Sequence, residues 1–315
     1  MRQLAVGRSC RNRAVEGSYR GLSRKKRGPA DRLVVHDRTV LGSSAVGLGT
    51  TIRLSRLFAN PSGNLFGVAI DHFVGYGDAP AMGLHDLPST IARTMVGAPD
   101  TMTMTAGTAK HCWGPYAGMA ALIVEAVSFT PDDRVSQMLS TPADAVRLGA
   151  DALAVAIPVR GATEGKYLQW LSDSVRDAAP FEMPIVAHIY PRDHSDKGKI
   201  VFTPEQIAWA VRCGIETGVD VIKVGYPGDP KAMAEIIASC PTPIVVAGGP
   251  KAATLRGALG MTREALDAGA VGAVVGRNIW GSPDVEGAAR AFRAVVHDGL
   301  DAEAALALAA EQPTA

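Results

Sequence analysis

From Leu65 onward the chain repeats one pattern, a short apolar run followed by an amphipathic stretch, at roughly thirty-residue intervals. The runs span residues 65–72, 100–106, 121–127, 151–159, 183–191, 220–226, 242–249 and 270–278. Most are rich in Val, Ile and Ala and lack regular polar alternation, which is the composition of a parallel strand covered on both faces. The stretches between them carry helix-start signals. Pro88-Ser89 precede 90–96, Thr141-Pro142 precede 143–148, Thr203-Pro204-Glu205 precede 206–217, and Asp229-Pro230 precede 231–239. A polar cap or a proline at such a place satisfies or removes orphan N–H groups and presets the first turn. Gly149, Gly218 and Gly269 stop helices just before the next run, as glycine does at a left-handed helix end. Eight such units in succession predict one (β/α)8 barrel over about 250 residues, an α/β fold with parallel strands inside and helices outside. A doubly wound sheet would want a glycine fingerprint after its first strand; here that position holds Asp71-His72-Phe73.

The flanks read differently. Residues 1–32 hold ten Lys/Arg against Glu16 and Asp31, with no apolar period, and are expected to be a basic, disordered tail. Residues 33–64 are expected to lead in beneath the barrel, 65–299 to form it, and 300–315 to add a helix and tail. Basic tails without interleaved aromatics are usually just solvated, and the formal net charge is only +1, so no nucleic-acid partner is expected. No run is long enough to span a bilayer, and no signal-peptide core follows Met1. The expectation is a cytoplasmic protein without a membrane partner. The four cysteines are scattered, as free thiols are in a reducing compartment. The seven histidines include no His-x-x-x-His pair, nor is there a Cys-x-x-Cys, so chemistry without metal or cofactor is expected.

Within the sixth run, Asp220-Val221-Ile222-Lys223-Val224-Gly225-Tyr226 places a lysine among β-branched residues. Taken alone it could snorkel to solvent from a strand end. In a barrel interior its charged form is disfavoured, and the neutral amine is a nucleophile toward carbonyls. Active sites of such barrels lie at the carboxyl ends of the strands, so the other tips bear on this reading. The first ends in Asp71, an acid closing an otherwise apolar strand, with His72 beside it. The fifth ends in His188-Ile189-Tyr190, whose alternation puts His188 and Tyr190 on one face. Tyr190 near a protonated imine is a candidate general acid/base. Loops after strands seven and eight carry Gly248-Gly249 and Gly276-Arg277, suited to a phosphate by exposed backbone N–H groups and a fixed cationic fork. The candidate catalytic residues are therefore Lys223, Tyr190 and Asp71. His72, His188, Gly248, Gly249, Gly276 and Arg277 are the candidate substrate and phosphate contacts. Together they suit an imine-forming aldolase acting on a phosphorylated ketone.

The stretches AIDH (69–72), DAVRLGADALAV (144–155), HIYPRD (188–193), GVDVIKVGYPGDP (218–230), PIVVAGGPK (243–251) and AGAVGAVVGRNIW (268–280) resemble the archaeal-type class I fructose-bisphosphate aldolase family, among the DeoC/LacD-type aldolases. The resemblance covers most of residues 54–299. It implies a Schiff base on Lys223, acid/base work by Tyr190, assistance by Asp71, a phosphate on Gly249, Gly276 and Arg277, and a homo-oligomer. Many relatives carry a second lysine or an aromatic at Gly225, tryptophan at His188 and glycine at Phe73. These departures line or rim the pocket and concern the second substrate. The expected function is thus a class I aldolase, a lyase acting on a ketose phosphate or dihydroxyacetone phosphate. The alternatives are a transferase or synthase of the same family, with an acceptor such as aspartate semialdehyde, and a non-catalytic barrel that binds a phosphorylated ligand.

Overall fold

The eight apolar runs become parallel strands that close on themselves. The computed structural model describes residues 47–73, 83–130, 132, 134, 136–249 and 252–311; the basic tail, the start of the lead-in, Pro250-Lys251 and residues 312–315 lie outside them. The strands are β1 (Leu65–Ala69), β2 (Thr101–Thr105), β3 (Ala121–Glu125), β4 (Ala152–Val159), β5 (Ile185–Asp193), β6 (Lys199–Ile200), β7 (Val221–Val224), β8 (Ile244–Ala247) and β9 (Gly272–Val275). Each barrel strand pairs in parallel with its neighbour, and β1 pairs with β9 to complete the ring. β6 is not a barrel stave; it folds back antiparallel on the overlong end of β5. This (β/α)8 barrel is the predicted fold, and the hairpin is an addition that strand composition did not announce.

Helix starts follow the local chemistry. Thr141 and Asp144 form a reciprocal cap ahead of helix Pro142–Arg147, and Asp229 accepts from the N–H groups of Lys231 and Ala232 at helix Pro230–Ala238. Both devices satisfy N–H groups that a helix start leaves orphaned. Gly218 ends helix Pro204–Thr217 at φ 76°, a left-handed conformation that glycine adopts without a Cβ penalty.

The ring closes at a place where only glycine fits. Gly272 sits opposite Leu65 at φ 155°, and a Cβ there would lie 2.2 Å from the Leu65 carbonyl oxygen. Gly272→Ala is expected to lower stability by about 1–3 kcal/mol or more, since strained backbone of this kind carries that cost. A thermal unfolding midpoint equal to that of the parent would show that the seam gives way freely.

Strand alternation sorts the barrel interior into layers. Leu65, Ala69, Ala121, Ile123, Ala152, Ala154, Val186, Val221, Val245 and Val274 form one inner cluster together with Leu54 and Leu57 of helix Leu48–Leu57. That helix closes the bottom of the barrel. Leu57 is fully buried, which contributes about 1.5–3 kcal/mol. Arg53 donates to the carbonyls of Phe181 and Glu182, and Arg56 pairs with Asp151 at 2.8 Å. With the lower layer filled, the next inward positions lie two residues on, at the top: Asp71, Glu125, Ala156, His188, Lys223, Ala247 and Gly276.

Candidate active site

Those seven upper residues border one cavity of about 470 Å³, and so do His72, Tyr190, Gly248, Gly249 and Arg277. A volume of this order suits a small organic ligand. All nine candidates from the sequence therefore converge on a single pocket at the carboxyl end of the barrel.

Lys223 is 4% exposed, two residues beyond Val221 on β7 and beside His188 in register with β5. Burial pulls its pKa below the usual lysine range; the charges of Asp71 and Glu125 oppose that and Arg277 reinforces it. Asp71 lies in a short helical turn, Asp71–Phe73, after β1. The expected first strand ends earlier than its apolar run, because the chain leaves the extended conformation for the helical turn at Asp71–Phe73. Burial disfavours the Asp71 anion, yet His72, whose Nδ1 lies 3.0 Å from Oδ1, together with Lys223 and His188, holds its pKa below the usual carboxylate range. Asp71 is accordingly an anion.

Glu125 is the residue that sequence reasoning passed over. It closes β3 at 2% exposure, with Oε2 3.2 Å from His188 Nδ1. Burial and the charge of Asp71 drive its pKa well above the usual range, against the pull of the Val127 and Ala156 N–H groups and Lys223. Burial and Lys223 push His188 the other way, well below the usual imidazole pKa. Both shifts favour the uncharged forms, a carboxylic acid beside an imidazole, over a salt bridge. One atom each of Asp71, Glu125 and His188 lies within 4.8 Å of the others, a spacing at which they can share one cation. Lys223 interacts electrostatically with both of these carboxyls. The signal that singles out Asp71, an acid ending an apolar strand, applies equally to Glu125.

The glycine loops are held by side chains from the segment that follows the last strand. Asn278, 6% exposed, donates to the Gly248 carbonyl at 2.7 Å and accepts from the Ala252 N–H at 2.8 Å. Arg277 Nη2 donates to the Gly249 carbonyl at 3.2 Å. Trp280 donates to the Ala69 carbonyl at 2.9 Å, joining the first barrel strand to the segment after the last. Across the barrel the wall is mostly apolar. Val127 and Phe129 line it, and Tyr190 leans on Phe129 with ring centroids 5.1 Å apart. Phe202, from the segment after β6, fills the space a side chain at Gly225 would take: a Cβ there would meet its ring at 2.0 Å. Arg192 braces this side, its guanidinium 4.6 Å from the centre of the Phe129 ring while it donates to the carbonyls of Gly198 and Thr130.

A parallel barrel with a buried amine, two buried carboxyls and glycine-lined loops at its carboxyl end has the layout of a barrel enzyme. The chain belongs to the DeoC/LacD family of aldolases, whose family description matches residues 66–282. It is 33% identical over 267 residues to the 2-amino-3,7-dideoxy-D-threo-hept-6-ulosonate synthase of Halobacterium salinarum, covering 83% of this chain and 96% of that one. It is 29% identical over 251 residues to the 2-amino-4,5-dihydroxy-6-oxo-7-(phosphonooxy)heptanoate synthase of Streptomyces griseus, covering 79% and 90% of the two chains. Among solved structures, a Schiff-base-forming fructose-1,6-bisphosphate aldolase superposes with a TM-score of 0.69 at 31% identity, covering 78% of this chain and 99% of that one. The protein is thus an enzyme of an aldolase family with a Schiff-base-forming structural neighbour. No helix among the described residues is long and apolar enough to cross a membrane.

Proposed function

We propose that the protein makes or breaks a carbon–carbon bond next to the carbonyl of a phosphorylated ketone, through an imine on Lys223. The observation that carries this reading is a 4% exposed lysine that shares one cavity with two carboxyls acting on its charge, with glycine loops at one side. The neutral Lys223 amine adds to the ketone carbon, and loss of water gives the iminium. The electron-withdrawing iminium lets the adjacent carbon–carbon bond break, its electron pair going into an enamine; the reverse reaction adds the enamine to an aldehyde. Tyr190, two residues beyond His188 on the inward face, moves the proton to and from the aldehyde-derived hydroxyl. Asp71, an anion beside His72, orients a substrate hydroxyl. The backbone N–H groups of Gly249 and Gly276 and the guanidinium of Arg277 receive the phosphate.

Two features favour synthesis onto an acceptor other than a second phosphorylated sugar. The cavity wall across from the glycine loops is mostly apolar, with the exposed Lys199 as its one lining cation among the described residues, and Phe202 takes the place beside Gly225. Two of the similar proteins are synthases by name. An acceptor aldehyde with an uncharged body fits this wall better than a second phosphate.

Borohydride reduction with dihydroxyacetone phosphate, followed by peptide mass spectrometry, tests the reading. A mass increase confined to Lys223 is expected. Absence of any adduct on the folded protein, with this ketone and with other ketose phosphates, would remove the imine.

A further inference from the structure

The scheme above leaves Glu125 without a task, although it is held as firmly as any group in the pocket. Its Oε1 accepts from the N–H groups of Val127 at 2.9 Å and Ala156 at 3.2 Å, which fixes the carboxyl plane. Its Oε2 has His188 Nδ1 at 3.2 Å but accepts no well-formed hydrogen bond among the described residues, although the carboxyl is 2% exposed and borders the cavity. A buried carboxylate oxygen without a donor is costly, whereas an oxygen that carries a proton is itself the donor. Asp71 lies within 4.8 Å, and two carboxyls that close do not readily ionise together. Each carboxyl has a histidine Nδ1 nearby, His72 at 3.0 Å from Asp71 and His188 at 3.2 Å from Glu125. Glu125 is the more deeply buried of the two, where the charged form is the more costly, so the shared proton is assigned to Glu125. Two carboxyls driven apart in this way take opposite parts in acid/base chemistry.

We propose that Glu125 is a second catalytic acid of this site, the donor that converts the Lys223 carbinolamine into the iminium. The inference rests on the Schiff-base reading above and assigns within it a step that reading left open. Addition of the Lys223 amine to the ketone, with transfer of an amine proton to the carbonyl oxygen, gives a neutral carbinolamine. Oε2–H of Glu125 then donates its proton to the carbinolamine hydroxyl. The carbon–oxygen bond breaks, its electron pair leaves on water, and the nitrogen lone pair closes the C=N bond. A neutral acid and a neutral adduct become a carboxylate beside an iminium, so the buried site gains an ion pair and no net charge. In hydrolysis the carboxylate takes a proton back from the attacking water.

The charged and titratable groups around Glu125 suit that sequence. Asp71 and His72 face it from the tip after β1, His188 from β5 and Lys223 from β7, with Arg277 acting on Lys223 from beyond β9. The Asp71 anion keeps the proton on Glu125 until positive charge develops on the Lys223 nitrogen, which then favours its release. Asp71, already ionised, has no proton to donate.

Rapid-mixing borohydride trapping with dihydroxyacetone phosphate, run from acid to alkaline pH on the parent, Glu125→Gln and Glu125→Asp, tests the proposal. Glutamine keeps an acceptor for Val127 and Ala156 and removes only the acid, and thermal melting reports its folding. In Glu125→Gln, adduct formation on Lys223 should slow by about 10²-fold or more, while the dissociation constant for dihydroxyacetone phosphate moves only a few-fold. The acid works in its protonated form, so its contribution to the parent rate is full below the Glu125 pKa and is lost as pH rises through it, separate from the acid-side fall caused by protonation of the Lys223 amine. That alkaline decline should vanish in Glu125→Gln. Glu125→Asp should recover part of the rate and keep the decline, and if the glutamine variant does not fold, absence of the alkaline decline from both the parent and the aspartate variant overturns the role. Adduct forming in Glu125→Gln at the parent rate, with the parent pH profile, overturns the proposal. A parent that forms no adduct with any ketose phosphate overturns the Schiff-base reading and this step with it, a distinguishable result.

Discussion

Lys223→Met is expected to abolish turnover and the borohydride-trapped adduct while leaving fold and phosphate binding in place. Methionine has nearly the same length and shape as lysine and lacks only the amine, so the layer above Val221 stays filled. Keeping an amine buried carries a desolvation penalty, and replacing buried charged groups by apolar ones of similar size is often neutral or stabilising. Asp71 does not lose its last partner, because His72 Nδ1 remains 3.0 Å away. The melting midpoint should therefore stay at or above that of the parent. The glycine loops and Arg277 stand on other strands, so dihydroxyacetone phosphate should still bind, and calorimetry can measure it. Turnover detectable in this variant would show that no covalent intermediate on Lys223 is required.

Tyr190→Phe should keep the imine and lose the chemistry that follows it. The ring packs against Phe129 with centroids 5.1 Å apart, and phenylalanine preserves that contact while deleting the hydroxyl. Positioned acid/base groups contribute about 10²–10⁴-fold, so the steady-state rate should drop by that factor while adduct continues to form on Lys223. A parent-like rate would assign the proton transfer to another group. The two variants separate bond formation to the enzyme from bond cleavage in the substrate, and Glu125→Gln separates imine formation from both.

Much of the barrel is legible in the chain. A strand buried on both faces must be apolar throughout, and a helix on its outside must begin at a cap and end at a glycine or a polar turn. These are local requirements, so the runs and the caps at Thr141 and Asp229 can be read in order. The inward alignment of His188 with Tyr190 is legible for the same reason, because it follows from a two-residue period. Glu125 was also within reach: it stands two residues after Ile123 at the end of an apolar run, the same position Asp71 holds two residues after Ala69.

Other parts of the site depend on partners far apart in sequence. Trp280 reaches Ala69 across 211 residues, Asn278 reaches Gly248 across 30, and Arg192 reaches Thr130 across 62. The turn of the chain onto β6, which brings Phe202 against Gly225, follows from the antiparallel pairing of Arg192 with Ile200 and Asp193 with Lys199, and no period marks it. The protonation of the pocket is likewise a tertiary property. Glu125 and Asp71 have nearly the same intrinsic acidity, and sequence alone does not distinguish them. Depth in the barrel and the short distance between the two carboxyls, each with its own histidine neighbour, set which of them is driven toward the protonated form. The chain by itself determined a closed barrel of eight strands with a lysine on the sixth, since strand burial and alternation act over a few residues. Only the closed ring decided which acid stands beside that lysine as a donor, because that depends on charges brought together from β1, β3, β5 and β7.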